Sequence, residues 1–270
     1  MIKAACVQMV SSDTPQENYS QALRLLESKA VAPDCELLVF PENFLHFGLD
    51  LASYKAQDLD AYLEAFKELA KQRSMNLVLG SVPVPAHDSR NRHYSRSLLI
   101  NSQGQVQAYY DKQHLFDVKV GDEHGQYRES DSICPGRERV VTALKLKDGS
   151  IAGLGFSICY DLRFADQFIS LRHQGAKIIV VPSAFTEKTG KAHWEVLLRA
   201  RAIETQCYIL AANQGGLHSA KRKTWGHSMI IDPWGRILSE CGKGQALCCA
   251  DLDLHLLDTI RADMPLYGLE

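Results

Sequence analysis

The stretch Ile151-Ala-Gly-Leu-Gly-Phe-Ser-Ile-Cys159-Tyr-Asp-Leu-Arg163-Phe164 decides how the rest of the chain is read. Its first eight residues are apolar or small, the composition of a buried strand. The run stops at a cysteine, and a helix-compatible polar segment, Asp161 to Gln174, follows at once. A strand feeding straight into a helix is the repeating unit of an α/β fold. The same turn suits a nucleophile: it presents the sulfur at the sheet edge, and the N–H groups opening the helix favour anions. A buried structural cysteine is the competing reading and the commoner fate of a free thiol.

Outward from this stretch the alternation recurs. Ile2 to Met9 reads as a strand, and Thr14-Pro15-Gln16-Glu17 has a capping-box pattern with Pro at the first helical position. Ala22, Leu23, Leu26 and Ala30 follow at helical spacing and predict a helix to about Val31. Glu36-Leu-Leu-Val-Phe40 is a short buried strand stopped by Pro41. Leu59, Tyr62, Leu63, Phe66, Leu69 and Ala70 form the stripe of a second helix, and Asn76 to Val82 returns as a strand. Ser97 to Ile100 and Gln105 to Tyr109 read as a hairpin around Asn101-Ser-Gln-Gly104. A polar loop from Asp111 to about Arg139 is long enough to suggest function.

Downstream come a strand at Lys177-Ile-Ile-Val-Val-Pro182, a helix from Ala192 to Thr205 and a strand at Tyr208-Ile-Leu-Ala-Ala212. The remainder reads mostly as strand around a turn at Asp232-Pro-Trp-Gly235. About eleven strands are too many for one twisted sheet. The expected fold is therefore α/β, a four-layer α-β-β-α sandwich of two stacked mixed sheets with helices on both outer faces. No linker or low-complexity tract interrupts the chain, so residues 1–270 are read as one domain.

Bulk properties narrow the function. With 270 residues, 46% of them apolar, the composition is that of an ordinary soluble globular protein. A formal charge of −2 and a pI of about 6.6 leave no electrostatic footprint for nucleic acid or a membrane surface. No apolar run approaches the ~20 residues that span a bilayer, and Met1-Ile-Lys-Ala-Ala-Cys-Val reads as a strand, not as a secretory leader. Eight cysteines without a Cys-x-x-Cys pair read as reduced thiols, which points to the cytoplasm. Vicinal Cys248 and Cys249 would face opposite sides of a strand. No His/Cys cluster has zinc-ligand spacing, and neither a metal nor another cofactor is expected.

Two further strand ends carry reactive groups. Glu42 follows Val39-Phe-Pro41, and Lys112 follows Ala108-Tyr-Tyr-Asp111. Burying either charge alone is costly, so an ion pair capping the sheet is one reading. With Cys159 a second opens. Glu42 takes the thiol proton, while Lys112 and the Tyr160 N–H stabilise an oxyanion. A Cys/His site is the competitor, but the histidines are scattered and none has a context tied to Cys159.

Val39-Phe-Pro-Glu42, Tyr110-Asp-Lys112-Gln-His-Leu-Phe116 and Ile158-Cys159-Tyr-Asp-Leu-Arg163-Phe164 resemble the motifs of the nitrilase, or carbon–nitrogen hydrolase, superfamily. The resemblance extends along essentially the whole chain and includes Asp232-Pro-Trp-Gly235. It implies a Glu–Lys–Cys triad of Glu42, Lys112 and Cys159, with Glu129 as a second glutamate that positions the lysine and the substrate. It also implies assembly as a homodimer or larger homo-oligomer. Cys159-Tyr-Asp resembles the amidase branches, since true nitrilases have Trp-Glu after the cysteine. Ser183-Ala-Phe-Thr186 and the run from Thr189 to Tyr208 look most similar to the deaminated-glutathione amidases, with the ω-amidases that act on α-ketoglutaramate as nearest rival.

The implied reaction is hydrolysis of a small anionic amide through a cysteine thioester, releasing ammonia. A non-catalytic interaction scaffold of the same fold is the alternative that an intact triad speaks against. For an anionic substrate Arg163, one helical turn past Cys159, offers a planar cation. Resemblance to the branch adds Thr189 and Phe185 to the substrate-binding set. Arg90 to Arg96 and Lys221-Arg-Lys223 read as solvated loops, or as contacts to the carboxylate of a longer peptide-like substrate. Arg199, Arg201 and Glu204 read as structural pairs. The chain departs from the family pattern at Ala165-Asp166, Val120-Gly121 and Ser95, where Pro-Glu, Pro-Gly and Asn are usual.

Overall fold

The computed structural model describes residues 1–28, 30–48, 56–86, 92–123 and 125–266. Its first strand, β1 (Ile2–Gln8), shows how the layers arise. Ala4 and Cys6 enter one buried apolar cluster and Ala5 and Val7 another, as the two-residue period of a strand dictates. The first sheet continues with β2 (Leu37–Val39), β3 (Asn76–Pro85), β4 (His93–Ile100) and β5 (Val106–Asp111). Helices α1 (Pro15–Leu26) and α2 (Ala56–Arg73) cover its outer face, where Ala22, Leu26, Phe66 and Ala70 share a core with Val7, Leu38, Phe40 and Leu79.

The long segment after Asp111 is not structureless. It holds a small hairpin of β6 (Asp117–Lys119) and β7 (Gln126–Arg128), followed by a 3-10 turn at Glu129–Asp131. The second sheet is then laid down by β8 (Val141–Lys145), β9 (Ile151–Phe156), β10 (Ile178–Val180) and β11 (Tyr208–Ala211). A separate hairpin of β12 (Leu217–Ser219) and β13 (Arg222–Lys223) precedes β14 (Met229–Ile231) and β15 (Ile237–Glu240), which rejoin that sheet. The strand β16 (Ala246–Leu252) crosses back to pair with β1. Helices α3 (Ala165–His173) and α4 (Glu187–Thr205) pack on the second sheet through Phe168, Leu171, Trp194 and Leu198. Helix α5 (Leu254–Asp263) closes the described chain.

The two sheets share one plan. Their orders are β16-β1-β2-β3-β4-β5 and β8-β9-β10-β11-β14-β15. Each has three parallel strands in the middle, one antiparallel strand on one side and two on the other. The inner face of the first sheet (Ile2, Leu37, Val39, Val78, Leu99) shares its core with the second. The expected α-β-β-α sandwich with mixed sheets is therefore the observed one.

Local differences have local causes. Thr14 makes no capping bond through its side chain; its N–H donates instead to Ser12 Oγ at 3.1 Å, and α1 stops at Leu26, short of Val31. The helix expected from Asp161 to Gln174 divides into a 3-10 turn at Cys159–Arg163 and α3, because Phe164 is extended (φ −107°, ψ 90°). β8, α5 and the two short hairpins lack the periodicity that reveals the other elements, and α5 is capped by Asp253, which accepts the His255 N–H at 2.9 Å.

Candidate active site

Three chain turns set the three reactive groups. Beyond β2, Phe40 and Pro41 run against Gly80 of β3, where an added Cβ would lie 2.1 Å from the Phe40 oxygen and 2.2 Å from that of Pro41. Only glycine permits that approach. Asn43 then takes a left-handed φ of 57° and donates its N–H to Ser81 Oγ at 3.0 Å. The Glu42 carbonyl accepts from Gln214 Nε2 at 3.1 Å, so both halves of the chain fix it. Lys112 continues from β5, its N–H donating to the Ser95 carbonyl (3.0 Å) and its carbonyl accepting the Gly136 N–H (2.8 Å).

Cys159 also has a left-handed φ, 48°, unusual outside glycine. Its N–H donates to the Pro182 carbonyl at 2.8 Å. Asp161 holds this turn. Fully buried, its carboxylate accepts Ile158 N–H (2.8 Å), Tyr110 Oη–H (2.7 Å) and His114 N–H (3.0 Å), and meets His114 Nδ1 at 2.8 Å. Tyr110 and His114 flank Lys112, so one carboxylate ties the cysteine turn to the lysine strand. In the sequence Asp161 stands out only as a branch marker; a carboxylate three residues into a helical turn is the signal of its anchoring.

The turns bring Glu42, Lys112, Glu129 and Cys159 together around a cavity of about 420 Å³. Lys112 Nζ donates to Glu42 Oε1 at 2.7 Å and to Glu129 Oε1 at 2.9 Å. Glu129 Oε2 accepts the Phe116 N–H at 2.7 Å, which holds the segment after the lysine against the site. Glu42, Lys112 and Cys159 are 3%, 1% and 7% exposed, so their charges act with little screening.

Burial alone would push the Lys112 ammonium down, but the carboxylates of Glu129 and Glu42 more than offset it and hold its pKa well above the ordinary range. Burial raises Glu129, against the pull of Lys112. Burial likewise pushes the Cys159 thiol well above its usual range; Glu42 adds to the rise through its charge and a hydrogen bond, and Lys112 opposes it. The resting site therefore combines a protonated thiol with an ammonium that has one N–H left after its two carboxylate bonds.

Of the other expected residues, Tyr160, Phe185 and Thr189 line this cavity. Tyr160 follows the cysteine in the first turn of the 3-10 segment, where N–H groups lack acceptors within the helix. Thr189 Oγ1 lies 2.9 Å from Thr186 Oγ1 at the start of α4. Arg163 is not among the cavity-lining residues. Its guanidinium sits 5.7 Å from the Tyr160 ring centre and 5.6 Å from that of Phe185, with His193 Nδ1 at 3.3 Å, so it backs the aromatic wall against α4. Arg90 lies outside the described residues. Arg96 forms a two-pronged pair with Asp111 at 2.7 and 2.9 Å. Arg201 bonds Glu204 at 2.8 Å, whereas Arg199 turns to Glu195 and the Gly235 carbonyl.

Among the described residues of the basic clusters, Arg222 is the cation that reaches the cavity. Its neighbour His218 lines the cavity too, but both ring nitrogens are engaged, with the Ser11 carbonyl and Thr224 Oγ1 at 2.7 Å each. Among the described residues no group of three or more His, Cys, Asp and Glu could hold a metal ion, and no helix is long and apolar enough to cross a membrane.

Comparison with known proteins agrees with this geometry. The Carbon-nitrogen hydrolase family matches residues 3–262. A deaminated glutathione amidase of Yersinia enterocolitica is 42% identical over 265 residues, 97% of this chain and 90% of that one. The crystal structure of the Caenorhabditis elegans NitFhit protein superposes with a TM-score of 0.89 at 37% identity, covering 99% of this chain but only 64% of that longer one. A glutamate mutant of the amidase from Nesterenkonia sp. AN1 (TM-score 0.75, 26% identity, 97% of this chain and 95% of that one) shows covalent addition of the acetamide moiety of fluoroacetamide at its active site cysteine. With its family match nearly end to end and a buried glutamate–lysine–cysteine cluster at the strand ends, this chain belongs to the carbon–nitrogen hydrolase family.

Proposed function

We propose that the chain is an amidase acting on deaminated glutathione or a similar α-keto amide, with Cys159 as nucleophile, Glu42 as proton carrier and Lys112 as oxyanion donor. The observation that carries this reading is the burial of Cys159 with Glu42 and Lys112 around one cavity, where Lys112 Nζ donates to Glu42 Oε1 at 2.7 Å. Glu42 takes the thiol proton as the sulfur bonds to the amide carbon, and the carbonyl electron pair moves to oxygen. The third N–H of Lys112 and the Tyr160 N–H hold that oxyanion, each donor of this kind contributing about 3–4 kcal/mol. The oxyanion collapses, the carbon–nitrogen bond breaks, and the nitrogen leaves with the proton from Glu42. A primary amide such as α-ketoglutaramate releases ammonia; deaminated glutathione, whose amide nitrogen belongs to a cysteinyl residue, releases a peptide amine. Water, deprotonated by Glu42, then attacks the thioester. Sulfur departs and regains its proton from Glu42, and the free acid is released. In this scheme Glu129 keeps Lys112 aimed, and Phe185 and Thr189 supply wall to the substrate.

The names of the similar amidases support the substrate class. Eight free cysteines support a cytoplasmic setting. The pairing of β1 with β16 supports a single folding unit. Exposed Val196, Ile203 and Trp234, gathered where the α4 face meets the turn at Gly235, support a homodimer or larger assembly. The test is amide turnover by Cys159→Ala, with deaminated glutathione and α-ketoglutaramate compared by kcat/KM in the unaltered enzyme. Turnover is expected to vanish with the fold intact and deaminated glutathione to be preferred. Residual turnover above a hundredth of the original would remove Cys159 from the mechanism.

A further inference from the structure

We infer that Arg222 holds a substrate carboxylate remote from the scissile amide, and so selects anionic over neutral amides; this rests on the amidase reading above. Lys221-Arg-Lys223 sits in the β12–β13 hairpin, and its middle residue faces the opposite side from its two neighbours. Lys221 and Lys223 line a separate surface cavity, where Lys223 pairs with Glu187 at 3.0 Å. Arg222 lines the cavity that contains Cys159.

Its setting is that of a cation held without an ion pair. The guanidinium carbon lies 5.5 Å from the Phe47 ring centre and 4.6 Å from that of Tyr127, whose hydroxyl donates to Asp122 Oδ2 at 2.8 Å, and the two rings restrict its orientation. Among the described residues no carboxylate forms an ion pair with it, and its buried Nη1 has no acceptor. A buried donor without a partner is costly to keep, so a ligand that supplies the counter-charge gains from it. The hairpin behind it is anchored: His218 stacks on Phe47 with ring centres 3.9 Å apart and bonds Ser11 and Thr224, while the Arg222 N–H donates to Ser219 Oγ at 3.2 Å.

The charges around the nucleophile give the orientation. Glu42 and Glu129 face one ammonium, that of Lys112, which leaves an excess negative charge beside Cys159. A substrate carboxylate is repelled there, whereas its neutral amide is not. Arg128 is exposed and therefore screened. That leaves Arg222 as the place where a planar carboxylate finds a held, planar partner, with the amide directed back to the cysteine. A keto-acid amide of a peptide has two such carboxylates, one on the acyl side and one on the leaving side, and the test separates them.

The measurement is protection of Cys159 from iodoacetamide, read by mass spectrometry on its own peptide, with Arg222 intact, as Arg222→Gln and as Arg222→Lys. Glutaramate against glutaramide varies charge on the acyl side; N-butyryl-alanylglycine against its C-terminal amide varies it on the leaving side. In at least one pair the charged member is expected to protect at about tenfold lower concentration, the ratio that ~1.4 kcal/mol of contact gives. Arg222→Gln should bring that pair to within about twofold, with Arg222→Lys between, since a point charge replaces a planar fork. The pair that loses its preference names the end Arg222 holds. Preference unchanged in Arg222→Gln, or absent from both pairs in the unaltered protein, overturns the assignment, and Arg222→Lys decides the matter should Arg222→Gln fail to fold. Protection needs no turnover, so failure of the amidase reading would show separately, as absence of hydrolysis by the unaltered enzyme.

Discussion

Burial and the Glu42 carboxylate both favour the protonated form of Cys159, and only Lys112 opposes them among the charges at hand. In the proposed reaction, base and nucleophile are therefore coupled through one proton. Glu42→Gln removes the base but also removes a negative charge and a hydrogen bond that keep the thiol protonated. Turnover is expected to fall about 10²–10⁴-fold, the usual range for a general base. The pH profile of iodoacetamide labelling at Cys159 should meanwhile move to lower pH. A profile that stays in place would mean that Glu42 does not act on the thiol. His218, on the cavity wall, gives a second titration. Burial lowers its pKa to about 4 from an ordinary 6.5. Between those values the unfolded chain binds a proton that the folded protein refuses. Stability present above about 6.5 is accordingly lost as pH falls towards 4, by roughly 3 kcal/mol at the limit. His218→Gln should flatten the urea-midpoint curve across that window, and an unchanged slope would place the proton uptake elsewhere.

Among the elements, the strand ends carry the site, and their precision comes from neighbours. Gly80 lets the Phe40-Pro41 backbone pass at a distance no side chain allows. Gly80→Ala is expected to displace Glu42, destabilise the protein by about 1–3 kcal/mol through overpacking, and lower kcat more than it raises KM. Unaltered kinetics at Gly80→Ala would show that the strand end tolerates movement. The strand ends were also the readable part of the sequence. Val39-Phe-Pro-Glu42 and Leu154 to Cys159 each place a reactive side chain where an apolar run stops, a pattern confined to a few consecutive residues. Arg163 and Arg222 were not separable in that way. Which of them reaches the cavity depends on the extended backbone at Phe164, which turns Arg163 towards His193, and on a hairpin that sends Arg222 to the opposite side from Lys221 and Lys223. The anchoring role of Asp161 is hidden for the same reason, since its partners Tyr110 and His114 lie about fifty residues away in sequence.

In the molecule as a whole, two sheets of the same plan meet face to face, and each contributes to one site from its strand ends. Glu42 and Lys112 come from the first sheet and Cys159 from the second, so the cluster exists only when both are assembled. Gln214 joins them directly, accepting the Ser11 N–H at 3.1 Å and donating to the Glu42 carbonyl at 3.1 Å. The alternating apolar runs were enough to read the layers, because burial on two faces imposes its period on the sequence. The cavity wall that carries Arg128 and Arg222 is not legible in this way, because the segments at 111–139 and 212–228 that contribute it obey no period.

The central claim is that an acyl group passes through the sulfur of Cys159. The most direct measurement is rapid quenching of the enzyme during turnover of deaminated glutathione, followed by peptide mass spectrometry. An added mass equal to the substrate's acyl half on the Cys159 peptide, absent from Cys159→Ala and discharged by hydroxylamine, is the expected result. Continued turnover with Cys159 unmodified at every quench time, or the acyl mass on another residue, would contradict it.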